Sequence, residues 1–90
     1  MPLPAWDDLR VFVALARNGS LTAAARTLRV SHPTVARRVR ALEDELGARL
    51  FDRLPDRFAL TPAGEELLID AEAMERAAEA IGRRATGFGN

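Results

Sequence analysis

Ninety residues, 48% of them apolar, are enough for one modest core and not for two. Cysteine is absent, which excludes disulfides and thiolate metal sites, and His32 is the only histidine, so no second imidazole can share a metal ion with it. No apolar run approaches the ~18 residues of a membrane span and no signal peptide is legible, so the expectation is a soluble, cytoplasmic chain with no membrane partner and no cofactor.

The formal net charge is zero, but the charge is unevenly distributed. Leu9 to Arg57 holds ten arginines and five acids, residues 1–8 hold two acids, and Phe58 to the end holds six acids and three arginines. A basic block followed by an acidic stretch suits a nucleic-acid-binding head with a non-binding tail; ordinary scatter of surface charge is the plainer alternative. Every basic residue is arginine, the side chain suited to bidentate contacts with guanine or phosphate. A GC-rich genome would produce the same bias.

The first helix is predicted over Asp7 to Asn18. Leu9, Phe12, Val13 and Ala16 recur at helical spacing as one apolar stripe, widened by Val11 and Leu15. Asp7 and Asp8 fall in the first turn, where negative charge suits the helix dipole. Asn18-Gly19 stops the helix, because both residues tolerate a left-handed backbone. Ser20 then caps a second helix whose inner face is Leu21, Ala24, Ala25 and Leu28. The alanines at 23–25 let two helices approach closely, although helix propensity alone also favours them.

Val30 and Ser31 form the next break. Ser31 is the predicted N-cap and Pro33 lies in the first turn, where its missing N–H costs nothing. The third helix runs to about Leu46 and ends at Gly47. Val35, Val39, Leu42 and Leu46 fall in one sector of the helical wheel, and Pro33, Arg37 and Arg40 point away from it, flanked by Thr34 and Ala36. Arg38 sits at the border of the apolar sector, which suits a phosphate better than a base. Two short helices at a tight break, the second with an outward row of arginines, are the layout of a helix-turn-helix whose second helix enters the major groove. Glu43, Asp44 and Glu45 make the far end of that helix acidic, so it is expected to lie beyond the duplex.

Arg49 to Thr61 is predicted as a hairpin. Phe58 and Leu60 alternate, Leu50 and Phe51 precede the turn, and Leu54-Pro55-Asp56 supplies the bend. A hairpin after a recognition helix is a wing, and Arg53 and Arg57 flank its tip; a small surface hairpin with solvated arginines is the alternative. Thr61-Pro62 opens the last helix, predicted to run to about Arg84. Leu67, Ala71, Met74, Ala78 and Ile81 alternate spacings of four and three, a coiled-coil-like seam. So long a helix exceeds what the head can cover, which points to a partner chain; packing back over its own domain is the alternative. The fold class is therefore mainly α: a winged helix-turn-helix of three helices and a hairpin over residues 1–61, a linker and dimerisation helix over 62–85, and a flexible hinge end over 86–90.

Three stretches, LRVFVALARNGSLTAAARTL, VSHPTVARRVRALEDELGARLFDR and LTPAGEELL, in this order and spacing, resemble the N-terminal domain of the LysR-type transcriptional regulators from about Asp7 to Arg84. The resemblance implies a winged helix-turn-helix, a linker helix that pairs two subunits antiparallel as a homodimer, and binding to an interrupted inverted repeat in double-stranded promoter DNA. It implies base contacts from His32, Pro33, Thr34 and Arg37. Contacts to phosphate or the minor groove are expected from Ser20, Thr22, Ser31, Arg38, Arg40, Arg53 and Arg57. Two departures stand out: His32 where glutamine is common, and Ala36 where serine is usual. Asp56 also occupies part of the wing tip, where positive charge is expected. Members of the family continue into an effector domain, so the chain is expected to be the DNA-binding piece of a longer, nucleoid-associated bacterial regulator. A dimerisation or protein-docking module whose helix-turn-helix no longer reads DNA is the competing function. An enzyme lacks convergent catalytic groups around His32.

Overall fold

The computed structural model describes residues 3–87. Among them are four helices and one hairpin, in the order α1 (Trp6–Asn18), α2 (Leu21–Leu28), α3 (His32–Leu46), β1 (Phe51–Arg53), β2 (Phe58–Leu60) and α4 (Pro62–Ala85). The predicted boundaries hold to within a residue at each helix start. The N-cap of α1 is Ala5, which has no side-chain acceptor, so the helix opens at Trp6. Ser20, Ser31 and Thr61 each accept a hydrogen bond from a backbone N–H three residues on, satisfying donors that the first turns of α2, α3 and α4 leave free. Gly19 and Gly47 end α1 and α3 in the left-handed region. The break after α2 falls at Arg29, with φ 59°, one residue before the predicted Val30, and Val30 N–H donates back to Ala25 O.

Helix α1 is the centre of the head. Its expected apolar stripe is buried at Leu9, Val11, Phe12, Val13 and Leu15; Ala16 is only half-buried, and Ala14 is buried in addition. The cause is tertiary: α2, α3, α4 and β2 all pack around α1. Phe12, Leu15, Val35, Leu42 and Leu50 are the largest fully enclosed side chains. The rings of Phe12 and Phe51 lie 5.4 Å apart, and Phe58 meets Phe51 edge-on at 6.1 Å, which ties the hairpin to α1.

The hairpin pairs Phe51 with Leu60 and Arg53 with Phe58 in antiparallel register. Phe58 N–H also donates to Gly19 O, anchoring the wing at the corner between α1 and α2. At its base the Glu43 carboxylate accepts from Leu50 N–H at 2.8 Å and Phe51 N–H at 3.4 Å. Thr61 Oγ1 donates to Arg49 O and accepts from Gly64 N–H, joining wing to α4. At Gly64 a side chain would collide with the Leu50 carbonyl and Leu60, so the join requires a residue without Cβ.

The predicted seam of α4 divides along its length. Leu67 is half-buried against the head core, and Ala71, at 1% exposure, belongs to that core. Ala71 is therefore corrected from a dimer contact to an intramolecular one: the head covers α4 for longer than the sequence pattern implied. Met74 is 46% exposed, Ile81 59%, and Ala78 is exposed, so this part of the seam stays uncovered. Ile69, outside the seam, is 69% exposed. Most of the predicted flexible end at 86–90 lies outside the described residues; Thr86 and Gly87 continue from the helix as a turn.

Candidate nucleic-acid interface

The first turn of α3 forms an exposed, polar N-terminus. It carries no acidic residue, so the positive end of the helix dipole is uncompensated there and favours an anion. Ser31 Oγ accepts from Thr34 N–H at 3.3 Å and lies 2.8 Å from Thr34 Oγ1. The cap thus fixes both hydroxyls. His32 Nε2 lies 3.1 Å from Thr22 Oγ1, bridging the starts of α2 and α3. Pro33 is exposed beside them. Ser20 is half-buried, with its hydroxyl committed to Ala23 N–H.

The arginines fall into two groups. Among the described residues of the head, the guanidinium groups of Arg26, Arg29, Arg37 and Arg40 make no hydrogen bond or ion pair, and all four lie on α2, its C-cap or α3. Arg37 and Arg40 are exposed, as the helical wheel predicted. The remaining arginines of the head are engaged. Arg38 is half-buried and donates to Asp8 at 3.3 Å, so part of its fork is tied to α1. In the wing, Arg53 stacks 5.3 Å above the Phe58 ring, Arg57 lies 3.6 Å from Asp56, and Arg49 lies 3.3 Å from Asp52.

Between α3 and the wing runs an open groove of about 690 Å³, lined by Arg40, Glu43, Asp44, Arg49 and Arg53 among others. The acidic end of α3 is thus nearer the wing than its sequence position implied. The half-buried Glu43 carboxylate accepts from two backbone N–H groups at the base of the wing. No helix of the described residues is long and apolar enough to cross a membrane.

Two arrangements escaped sequence reading. Arg26 follows Thr22 by one turn on α2, a spacing that places it on the same face. Glu72 and Glu75 lie three residues apart on α4 and both reach Arg17 at the end of α1. The spacing of the two acids was legible; their partner, 55 residues away, was not.

The family model described as bacterial regulatory helix-turn-helix protein, lysR family, matches residues 6–65. The chain is 50% identical over 67 residues to the HTH-type transcriptional regulator TfdS of Cupriavidus pinatubonensis, a match that covers 74% of this chain and 23% of that protein. The chain thus spans about a quarter of the length of that relative. Among solved structures, the complex of the CbnR DNA-binding domain with DNA superposes with a TM-score of 0.84 at 35% identity, covering 96% of this chain and 99% of that one. The BenM DNA-binding domain bound to catB site 1 DNA gives a TM-score of 0.89 at 27% identity, covering 96% of each chain. The fold is that of a winged-helix DNA-binding domain, and the relatives are transcriptional regulators, not enzymes. Motif order, helix geometry and the profile match agree: the chain belongs to the LysR family of bacterial regulatory helix-turn-helix proteins.

Proposed function

We propose that this domain binds double-stranded promoter DNA sequence-specifically as a homodimer and so regulates transcription. The start of α3, residues 31–40, enters the major groove. Arg37, His32, Pro33 and Thr34 face base edges there. Arg40 and the half-tied Arg38 face phosphates, joined by Thr22 and Ser31 at the helix starts and by Arg26 on α2. Ser20 is the weakest of the expected contacts, since its cap bond already uses the hydroxyl. Arg53 and Arg57 approach the backbone or minor groove from the wing. Residues 1–61 act as the reading head and residues 62–85 as linker and dimer seam, with Met74, Ala78 and Ile81 meeting a second copy. The compartment is the bacterial cytoplasm.

The observation that carries this reading is the set of uncommitted guanidinium groups on the helix-turn-helix, in a head whose other arginines have internal partners. These groups meet phosphate or base without breaking an existing ion pair. The DNA-bound state of the CbnR and BenM domains supports the same docking.

Gel shift at low and at high salt tests the reading. Binding should weaken steeply as salt rises, because each neutralised phosphate contributes about 0.9 to the log–log slope. Absence of binding to any duplex at low salt would leave protein docking as the function. Sedimentation tests the seam: Met74→Glu or Ile81→Glu should shift the chain toward monomer and weaken DNA binding together. A dimer that survives both changes places the interface elsewhere.

A further inference from the structure

Helix α4 leaves the head along a defined line. Gly64, Leu67, Leu68 and Ala71 pack against the core, and beyond Glu75 every described residue of α4 except Ala80 is exposed. At the point of departure Arg17, in the last turn of α1, grips two successive carboxylates. Its Nη2 donates to Glu75 Oε1 at 2.6 Å and to Glu72 Oε2 at 3.1 Å, and its Nη1 donates to Glu75 Oε2 at 3.2 Å. The Glu75 contact is a two-pronged fork, the geometry in which an arginine–carboxylate pair holds direction as well as distance. The Glu75 hydrogen bonds, then that of Glu72, raise the guanidinium's pKa above its ordinary value.

The Thr61–Gly64 join pins the start of α4, and farther along the apolar patch and the fork hold it against the head. Leu67, Leu68 and Ala71 are a short patch of one helix on another, and such a patch tolerates rotation about its own centre. The clamp lies at the distal edge of that patch, where a rotation would displace its groups most. Met74 lies within the clamped turn and Ala78 and Ile81 beyond it, so the angle held at Arg17 is the angle between the reading helix and the seam.

We propose that the Arg17–Glu72–Glu75 clamp determines half-site spacing specificity: it fixes the orientation of each head on its linker helix, so that a dimer accepts one separation of half-sites and rejects its neighbours. The inference rests on the homodimeric reading above. Each inserted base pair moves one half-site by about 3.4 Å and rotates it by about 35°. A stiff head–linker joint cannot follow that change, and a loose one can. Arg17 is a positioning residue here, since it touches no base.

The test is a series of duplexes with identical half-sites and spacers varied one base pair at a time. Wild type should lose about tenfold or more for one base pair off the optimum, and Arg17→Gln less than about threefold, because effective concentration falls sharply only when a stiff connection misses its second site. Arg17→Lys, which keeps the charge without the fork, should fall between them. Affinity for a single isolated half-site should be unchanged in both. The double variant Glu72→Gln, Glu75→Gln separates geometry from charge. It should broaden spacing tolerance as Arg17→Gln does, although it changes the net charge in the opposite direction. A spacing profile in Arg17→Gln as sharp as wild type overturns the clamp alone. A wild type indifferent to spacer length overturns the dimeric reading and the clamp with it.

Discussion

The start of α3 and the wing are both basic surfaces, yet their arginines stand in different states. Arg37 and Arg40 on α3 have no internal partner, whereas Arg53 and Arg57 in the wing are held by Phe58 and Asp56. An exposed ion pair contributes only about 0–1 kcal/mol, so the wing contacts are not blocked, but each must give up something to reach DNA. The α3 arginines give up only their hydration. On the proposed reading, the contrast assigns sequence discrimination to the helix and an adjustment of affinity to the wing.

The largest expected effect removes the wing's footing altogether. Gly64→Ala drives a methyl group into the Leu50 carbonyl and Leu60 at the wing–α4 join. Overpacking of this kind costs about 1–3 kcal/mol or more. Thermal unfolding should report a clear fall in Tm, and an unchanged Tm would mean that the join is softer than it looks. Glu43→Ala acts on the same footing more gently. It leaves the N–H groups of Leu50 and Phe51 without their acceptor, at about 1–3 kcal/mol, and amide exchange at those two positions should accelerate.

Arg37→Ala sharpens the comparison from the other side. Loss of a bidentate base contact costs about 1–3 kcal/mol and relaxes preference at one half-site position. Equal loss on all sequences would assign Arg37 to phosphate. The smallest effects belong to the wing. Arg53→Ala and Arg57→Ala should each weaken binding without altering preference and lower the salt slope by about one. Asp56→Asn, which releases Arg57, should strengthen binding slightly; a weakened complex would show that Asp56 positions Arg57 instead of restraining it.

Much of the fold was legible because its signals are local. Ser20, Ser31 and Thr61 cap helices where a hydroxyl precedes an apolar pattern, Gly19 and Gly47 end them, and Leu54-Pro55-Asp56 turns the hairpin. What was missed is long-range. The added burial of Ala14 depends on the elements that converge on α1, which no periodicity within thirteen residues encodes. Ala71 fits a dimer seam and an intramolecular contact equally well by spacing, and only the position of α1 decides between them. Asp8 and Glu43 read as surface charges until tertiary structure brings Arg38 to the one and the wing backbone to the other. At the interface, helical periodicity located the outward face of α3, but not which of its arginines are already engaged.

Selection of binding sites from random duplexes, followed by sequencing, tests the central claim most directly. Wild type should enrich an interrupted inverted repeat whose half-sites lie a whole number of helical turns apart, about 10–10.5 base pairs per turn. Arg37→Ala should enrich the same repeat with one position degenerate in each half. A pool without any enriched repeat, or an identical motif from both proteins, would contradict base reading by the free face of α3.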